Sequence, residues 1–300
     1  MFFLMEITKM IESKKGAVVI TGTSSGVGRA TALLLEKQGY HVFAGVRKEK
    51  DAESLKQASS GNLTPIILDI TKAEQIKSAA ELVSQIVGDK GVVGLVNNAG
   101  VAVDGPLECI PIDDLRLQFE VDVIGQIAVM QAFLPAIRKA KGRIVNIGSV
   151  ASKVALPYFA ALSASKFALE ALTDSLRMEL TPWGIEVISI LPGPINTEVS
   201  EKVEAGYLKT IANMSPEAKA MYGNNHKAYM MEVVKENQEG MPPEKVANTI
   251  LKSLDDRKPK RHYIVGEDLF FLTCNKFFPT RLFYNIFYSF VERDLKFDKR

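Results

Sequence analysis

The chain has little cysteine, little net charge and no long hydrophobic run, and each shortage excludes something. Its two cysteines, Cys109 and Cys274, lie far apart in 300 residues with no ligand-like spacing. That excludes a disulfide framework and a thiolate metal centre. No metal is expected, and a reducing, cytoplasmic compartment is the expectation. The charge balance is 37 basic against 35 acidic residues, net +2, so no nucleic-acid partner is expected. The short basic runs at 48–50 and 257–261 read as solvated surface. The apolar start at residues 1–5 meets Glu6, too early for a signal sequence or a membrane span.

The aromatic stretch 269–290 is broken by Asn275, Lys276, Pro279 and Arg281, so it does not read as a span either. Core or subunit packing, a wall of the substrate pocket and peripheral contact with a membrane surface are its three readings. No linker rich in Gly, Pro or Ser divides the chain, and 47% hydrophobic residues suffice for a sizeable core. One domain over residues 16–300 is expected, with 266–300 as an aromatic C-terminal segment.

Short, largely β-branched runs at 17–21, 41–46, 65–68, 92–96, 143–148 and 186–191 predict strands. Stretches with apolar residues at i, i+3 and i+4 separate them, at 27–37, 72–87, 115–139 and 161–180, and predict helices. Strands apolar along most of their length belong to a parallel sheet covered on both faces. The alternation predicts an α/β fold with a doubly wound, Rossmann-type parallel sheet. Residues 198–240 break the alternation with a polar, helical pattern. An insertion there falls outside the carboxyl ends of the strands, where ligands bind, and is expected to form a helical lid, with a plain surface hairpin as the alternative.

The first predicted strand runs into Thr21-Gly22-Thr23-Ser24-Ser25-Gly26-Val27-Gly28 and then directly into a helix. Glycines there let the backbone turn tightly and approach a pyrophosphate, which faces unpaired N–H groups of the helix N-terminus. Asn97-Asn98-Ala99-Gly100 follows the fourth strand and Pro192-Gly193-Pro194-Ile195-Asn196-Thr197 the sixth. On these motifs the chain resembles the short-chain dehydrogenase/reductase family, from about residue 16 to about residue 197. It is most similar to the retinol- and hydroxysteroid-type members.

The resemblance implies a dinucleotide held by Thr21, Gly22, Ser24, Ser25, Gly26, Val27 and Gly28, with Asp69 and Ile70 at the adenine. Asn98, Ala99, Gly100, Lys166, Pro192, Gly193, Ile195 and Thr197 complete that set. An NAD-selective site carries a carboxylate near the end of the second strand. Here the position holds Val46, followed by Arg47, whose guanidinium suits a 2′-phosphate. NADP(H) is therefore expected over NAD(H).

The resemblance also implies a catalytic set of serine, tyrosine, lysine and asparagine. Ser149 and Lys166 match it. The tyrosine position holds Leu162, which has no proton to give, and the asparagine position holds Asp122. Asp122 reads either as an ion-pair partner of Lys166 or as a simple isostere. Leu162 is expected to pack beside Phe159 and Phe167. Tyr158, four residues earlier, precedes the helix of Lys166 and is a poor substitute.

Two functions are expected on this basis. One is an NADP(H)-dependent oxidoreductase interconverting a small lipophilic alcohol and its ketone or aldehyde, with turnover severely impaired. The other is a non-catalytic NADP(H)-binding sensor or scaffold. A homodimer or homotetramer is implied by the resemblance.

Overall fold

Buried, β-branched segments form the centre of the molecule. The computed structural model describes residues 13–266 and 279–295. Strands β1 (Ala17–Ile20) and β2 (His41–Val46) are buried at every residue. With β3 (Leu63–Ile67), β4 (Val92–Asn97), β5 (Arg143–Ile147), β6 (Glu186–Pro192) and β7 (His262–Val265) they make one seven-stranded sheet. Its order is β3-β2-β1-β4-β5-β6-β7, and every pairing is parallel. Helices cover both faces, giving the doubly wound, Rossmann-type α/β fold.

One core layer includes Val19, Phe43, Leu95, Phe133 and Ile144, and the other Val18, Ile20, Leu35, Val96 and Ile250. Alternate side chains of β1 and β4 thus enter opposite layers, as the two-residue period of a strand requires. The strand order reverses between β1 and β4, which opens a crevice at their carboxyl ends.

Six strands lie where the sequence pattern puts them, and the seventh was not anticipated. β7 is four residues long and joins the edge of the sheet through Ser189↔His262 to Pro192↔Val265. β3 begins at Leu63, two residues earlier than expected, with Pro65 inside it. The expected helix over 115–139 is observed as α4 (Ile112–Phe119), a π-helical turn at Glu120–Gly125 and α5 (Gln126–Ala140). A Cβ on Gly125 would stand 2.6 Å from the Ile70 carbonyl, so glycine is needed for this turn to approach the loop after β3.

Ile112–Ala140 is long and apolar enough to cross a membrane, but half of its apolar window is buried. Val129, Phe133 and Ile137 on α5 belong to the core beside Leu95.

The polar segment after β6 is two helices, α7 (Val199–Asn213) and α8 (Pro216–Gln238). The break between them is chemical. Ser215 caps α8 by accepting a 3.1 Å bond from Ala218 N, and Pro216 occupies the first turn. The pair packs on α6 (Ala160–Leu180) and the loop before it through Phe159, Tyr207, Tyr229, Met230 and Val234. Of the aromatic segment, residues 267–278 lie outside the described residues, and Thr280–Leu295 is helical.

Candidate active site and cofactor cleft

The glycine-rich turn is built around backbone that a side chain would obstruct. Gly22 has φ +70°, and a Cβ on it would meet Ala99 Cα at 2.8 Å. A Cβ on Gly28 would stand 2.5 Å from Asn98 Nδ2 and collide with the Gly22 carbonyl. Asn98 braces the turn, its Nδ2 donating to the carbonyls of Thr21 and Gly22 at 3.0 Å each. Thr21 Oγ1 in return accepts from Asn98 N and Ala99 N, also at 3.0 Å.

Helix α1 (Gly26–Lys37) starts immediately after this turn. Its N-cap Ser25 makes no side-chain capping bond, and no acidic residue stands in its first turn. An uncapped helix start with close-approach glycines has the donors and the clearance that a pyrophosphate needs. The residues present therefore fit a dinucleotide.

A cavity of about 710 Å³ runs from this turn toward α7. Gly22, Ser24, Ser25, Gly26, Val27, Gly28, Asn98, Ala99 and Gly100 line it, with Gly193, Ile195 and Thr197 on the opposite lip. Thr21 and Pro192 are not in the wall. Thr21 acts through its bonds to Asn98 and Ala99, and Pro192 is buried at the end of β6 against Val265. Val46, Arg47, Asp69 and Ile70 form one end of the cavity. Burial opposes ionisation of Asp69. Hydrogen bonds from Thr71 N and Oγ1 and the Arg47 charge outweigh it and hold the carboxyl below the usual carboxylate range.

The other four positions singled out in the sequence are drawn together, but among themselves. Asp122 sits in the π-helical turn, fully buried, and its Oδ2 lies 3.1 Å from Lys166 Nζ. Its Oδ1 accepts from Val101 N at 2.9 Å. Lys166 Nζ also donates to the Ile147 carbonyl at 3.2 Å. Of the two readings of Asp122, the ion pair is the one observed. Ser149 Oγ accepts from Ala151 N at 3.1 Å, capping a short 3-10 turn.

Leu162 packs into the apolar cluster with Phe159, Tyr207 and Tyr229. Phe167, expected beside it, is 42% exposed. It follows Lys166 by one residue, and that step of about 100° on a helix turns it to solvent. None of Ser149, Leu162 and Lys166 is in the cavity wall. Tyr158 has φ +60°, and its ring lies 5.0 Å from that of His226 and 5.5 Å from that of Tyr229, on the side of α8. Burial pushes its phenol above the ordinary range, the reverse of an activated acid.

Two groups escaped the sequence reading. Gln118 is fully buried and stitches the loop after β4 to the helices. Its Oε1 accepts from Val103 N at 2.8 Å, and its Nε2 donates to the Val101 carbonyl and to Ser165 Oγ. A glutamine on the inward face of an apolar helix was the available signal. The second is Asp104, in the cavity wall, whose Oδ2 lies 3.0 Å from Nε2 of fully buried His226.

A parallel sheet with a glycine-braced, uncapped helix at its reversal point defines a dinucleotide-binding α/β protein. Residues 16–208 match the short chain dehydrogenase family model, and the chain belongs to that family. It is 35% identical over 284 residues to an NADPH-dependent 3-dehydrocapnine reductase of Ornithobacterium rhinotracheale, covering 93% of this chain and 96% of that one. It is 34% identical to mouse retinol dehydrogenase 5 over 275 residues, covering 89% and 85% of the two chains. Among solved structures, a short chain dehydrogenase from Burkholderia cenocepacia in complex with NADP superposes with a TM-score of 0.68 at 27% identity. That match covers 90% of this chain and 95% of the other.

Proposed function

We propose that this chain binds NADP(H) in preference to NAD(H) on the frame of an alcohol–carbonyl oxidoreductase, and that its own turnover is severely reduced. The family and its retinol-acting relative support the alcohol–carbonyl chemistry and a lipophilic small molecule as ligand. The dinucleotide, when bound, supplies the hydride equivalent. The chain's residues contribute everything else, and here they divide into two groups.

The first group binds. The glycine turn and the N-terminus of α1 take the pyrophosphate. Arg47, at the end of the cavity beside Asp69, takes the 2′-phosphate through a charge-assisted fork. Helices α7 and α8 form a lid over the remaining space.

The second group fails to donate a proton. The observation that carries the reading is Lys166 paired with Asp122 at 3.1 Å while Leu162 packs into the apolar cluster. Lys166 is satisfied by a carboxylate and a carbonyl, so its charge no longer lowers the pKa of a neighbouring phenol. Ser149 Oγ accepts from Ala151 N and caps a turn. Loss of general acid catalysis is worth roughly 10²–10⁴-fold.

Restoring Leu162→Tyr, alone and with Asp122→Asn, and following NADPH oxidation over ketones and aldehydes tests this. Turnover is expected to rise roughly 10²–10⁴-fold in the double variant. Ordinary enzyme rates in the unaltered chain would refute the proposal.

A second reading is a nucleotide-dependent sensor or scaffold without chemistry. The packing of Leu162 into the α7–α8 cluster favours it, because the position has a structural task in holding the lid. It expects NADPH binding to change the order of the lid, and no activity from the restored tyrosine.

A further inference from the structure

We propose that Asp104, held in place by His226, is a recognition point for the protonated amino group of an otherwise apolar ligand. This rests on the reading above that the space beside the dinucleotide takes a lipophilic small molecule. Among the described residues of the cavity wall the charged side chains are Arg47, Asp69 and Asp104. The first two stand at the adenosine end, where each has the other as a counter-charge. Asp104 stands away from them, on the loop after β4, against His226 of α8 and Gly206 of α7, and the same wall carries Val101, Leu117, Phe159 and Val203.

A carboxylate in an apolar wall is costly unless its lone pairs and charge are compensated. His226 compensates part of this. Its Nε2 lies 3.0 Å from Oδ2, and its ring is held between those of Tyr158 and Tyr207, at 5.0 and 6.5 Å. That contact stands an imidazole against one carboxylate oxygen, which has no hydrogen-bond partner among the described residues. The other, Oδ1, points toward Gly206 on α7, where a Cβ would come within 3.5 Å of it and glycine leaves clearance. Gly206 is itself in the wall.

An ionised carboxylate only accepts hydrogen bonds, so a ligand must bring a donor. An ammonium brings three donors and the compensating charge, a hydroxyl brings one donor and none of the charge, and a carboxylate is repelled. The apolar neighbours select the rest of the molecule. The pairing sets Asp104 and His226 apart from the Lys166–Asp122 group, so recognition at this end survives the loss of the phenol.

The test is calorimetric titration of the full chain with octylamine, 1-octanol and octanoate, each with and without saturating NADPH. The expected result is octylamine binding at least about tenfold tighter than octanol, with octanoate weakest, since one donor and a compensated charge are worth about 1.5–3 kcal/mol. Asp104→Asn is expected to bring amine and alcohol within about twofold of each other. Gly206→Val, which fills the space before Oδ1 and leaves the His226 contact intact, is expected to do the same. Circular dichroism confirms the fold of both variants. Equal binding of amine and alcohol, or a preference that both variants retain, overturns the assignment. A chain that prefers the amine but does not bind NADPH refutes the cofactor reading and leaves this one standing.

Discussion

The cleft at the glycine turn and the group around Lys166 treat their polar side chains in opposite ways. At the glycine turn, donors are left open: Ser25 does not cap α1, and Arg47 is exposed. Around Lys166 every strong group is already taken, Lys166 by Asp122 and Ile147, Asp122 by Val101, Ser149 by Ala151. Open donors cost little where water reaches them and are available to a ligand. Groups paired within the protein add to its stability and are less available to a substrate. Binding and chemistry, joined in one cavity elsewhere, are here governed by different economies of hydrogen bonding.

Breaking the closed half gives the largest expected effect. Asp122→Ala strands the Lys166 charge in a buried site, and a loss of about 3–5 kcal/mol in urea unfolding is expected. Asp122→Asn keeps an acceptor for Val101 N and should cost clearly less. Next is the open half: Gly28→Ala places a methyl against Gly22 O and Asn98 Nδ2, and NADPH affinity is expected to fall about 100-fold, at roughly 1.4 kcal/mol per factor of ten. Calorimetry reads that directly. Arg47→Ala should weaken NADPH about tenfold and leave NADH unchanged, a modest effect because the side chain is exposed. Equal loss for both nucleotides would refute the assignment of the 2′-phosphate to Arg47.

The last effect, on stability alone, concerns Glu170, one helical turn beyond Lys166 on α6. It accepts from Lys153 Nζ at 3.0 Å, and His262 Nε2 lies 2.6 Å away. Burial opposes its ionisation, but these two partners bring its pKa down to about 2 from 4.5. A carboxyl with a depressed folded-state pKa stabilises the fold above its unfolded value, and the contribution is lost as pH falls from 4.5 toward 2. Glu170→Gln should therefore cost about 1–3 kcal/mol at neutral pH in urea unfolding, with the gap to the parent narrowing below pH 4.5. This pair lies outside the cleft, so NADPH affinity should not change. A change there would mean that the two halves are coupled through α6.

What was legible in the sequence was what depends on local backbone need. The glycine turn, the Asn-Asn-Ala-Gly turn and the first six strands show as residue types at fixed spacing. The π-helical turn does not, because its cause is the approach of Gly125 to Ile70, 55 residues away in sequence. β7 escaped because a four-residue edge strand has too little pattern to show. Asp104 and His226 are separated by 122 positions, and no periodicity links a loop carboxylate to a helix imidazole. Phe167 was misplaced for a simpler reason, since a residue five positions on from Leu162 lies about 140° around the helix from it. Leu162 itself was visible as an exception. What it touches was not, because its neighbours Tyr207 and Tyr229 come from the two helices that follow β6.

Leu162 also bears on how the helices over the cleft are held. An isobutyl group among Phe159, Tyr207 and Tyr229 is an adhesive between α6 and the helices over the cleft. Leu162 is half-buried against that cluster, so a tyrosine there loses part of the apolar contact between the layers while its hydroxyl can reach the edge of the cluster. A tyrosine placed there trades part of that adhesion for a phenol, and Lys166 stays paired with Asp122 unless that carboxylate is changed as well.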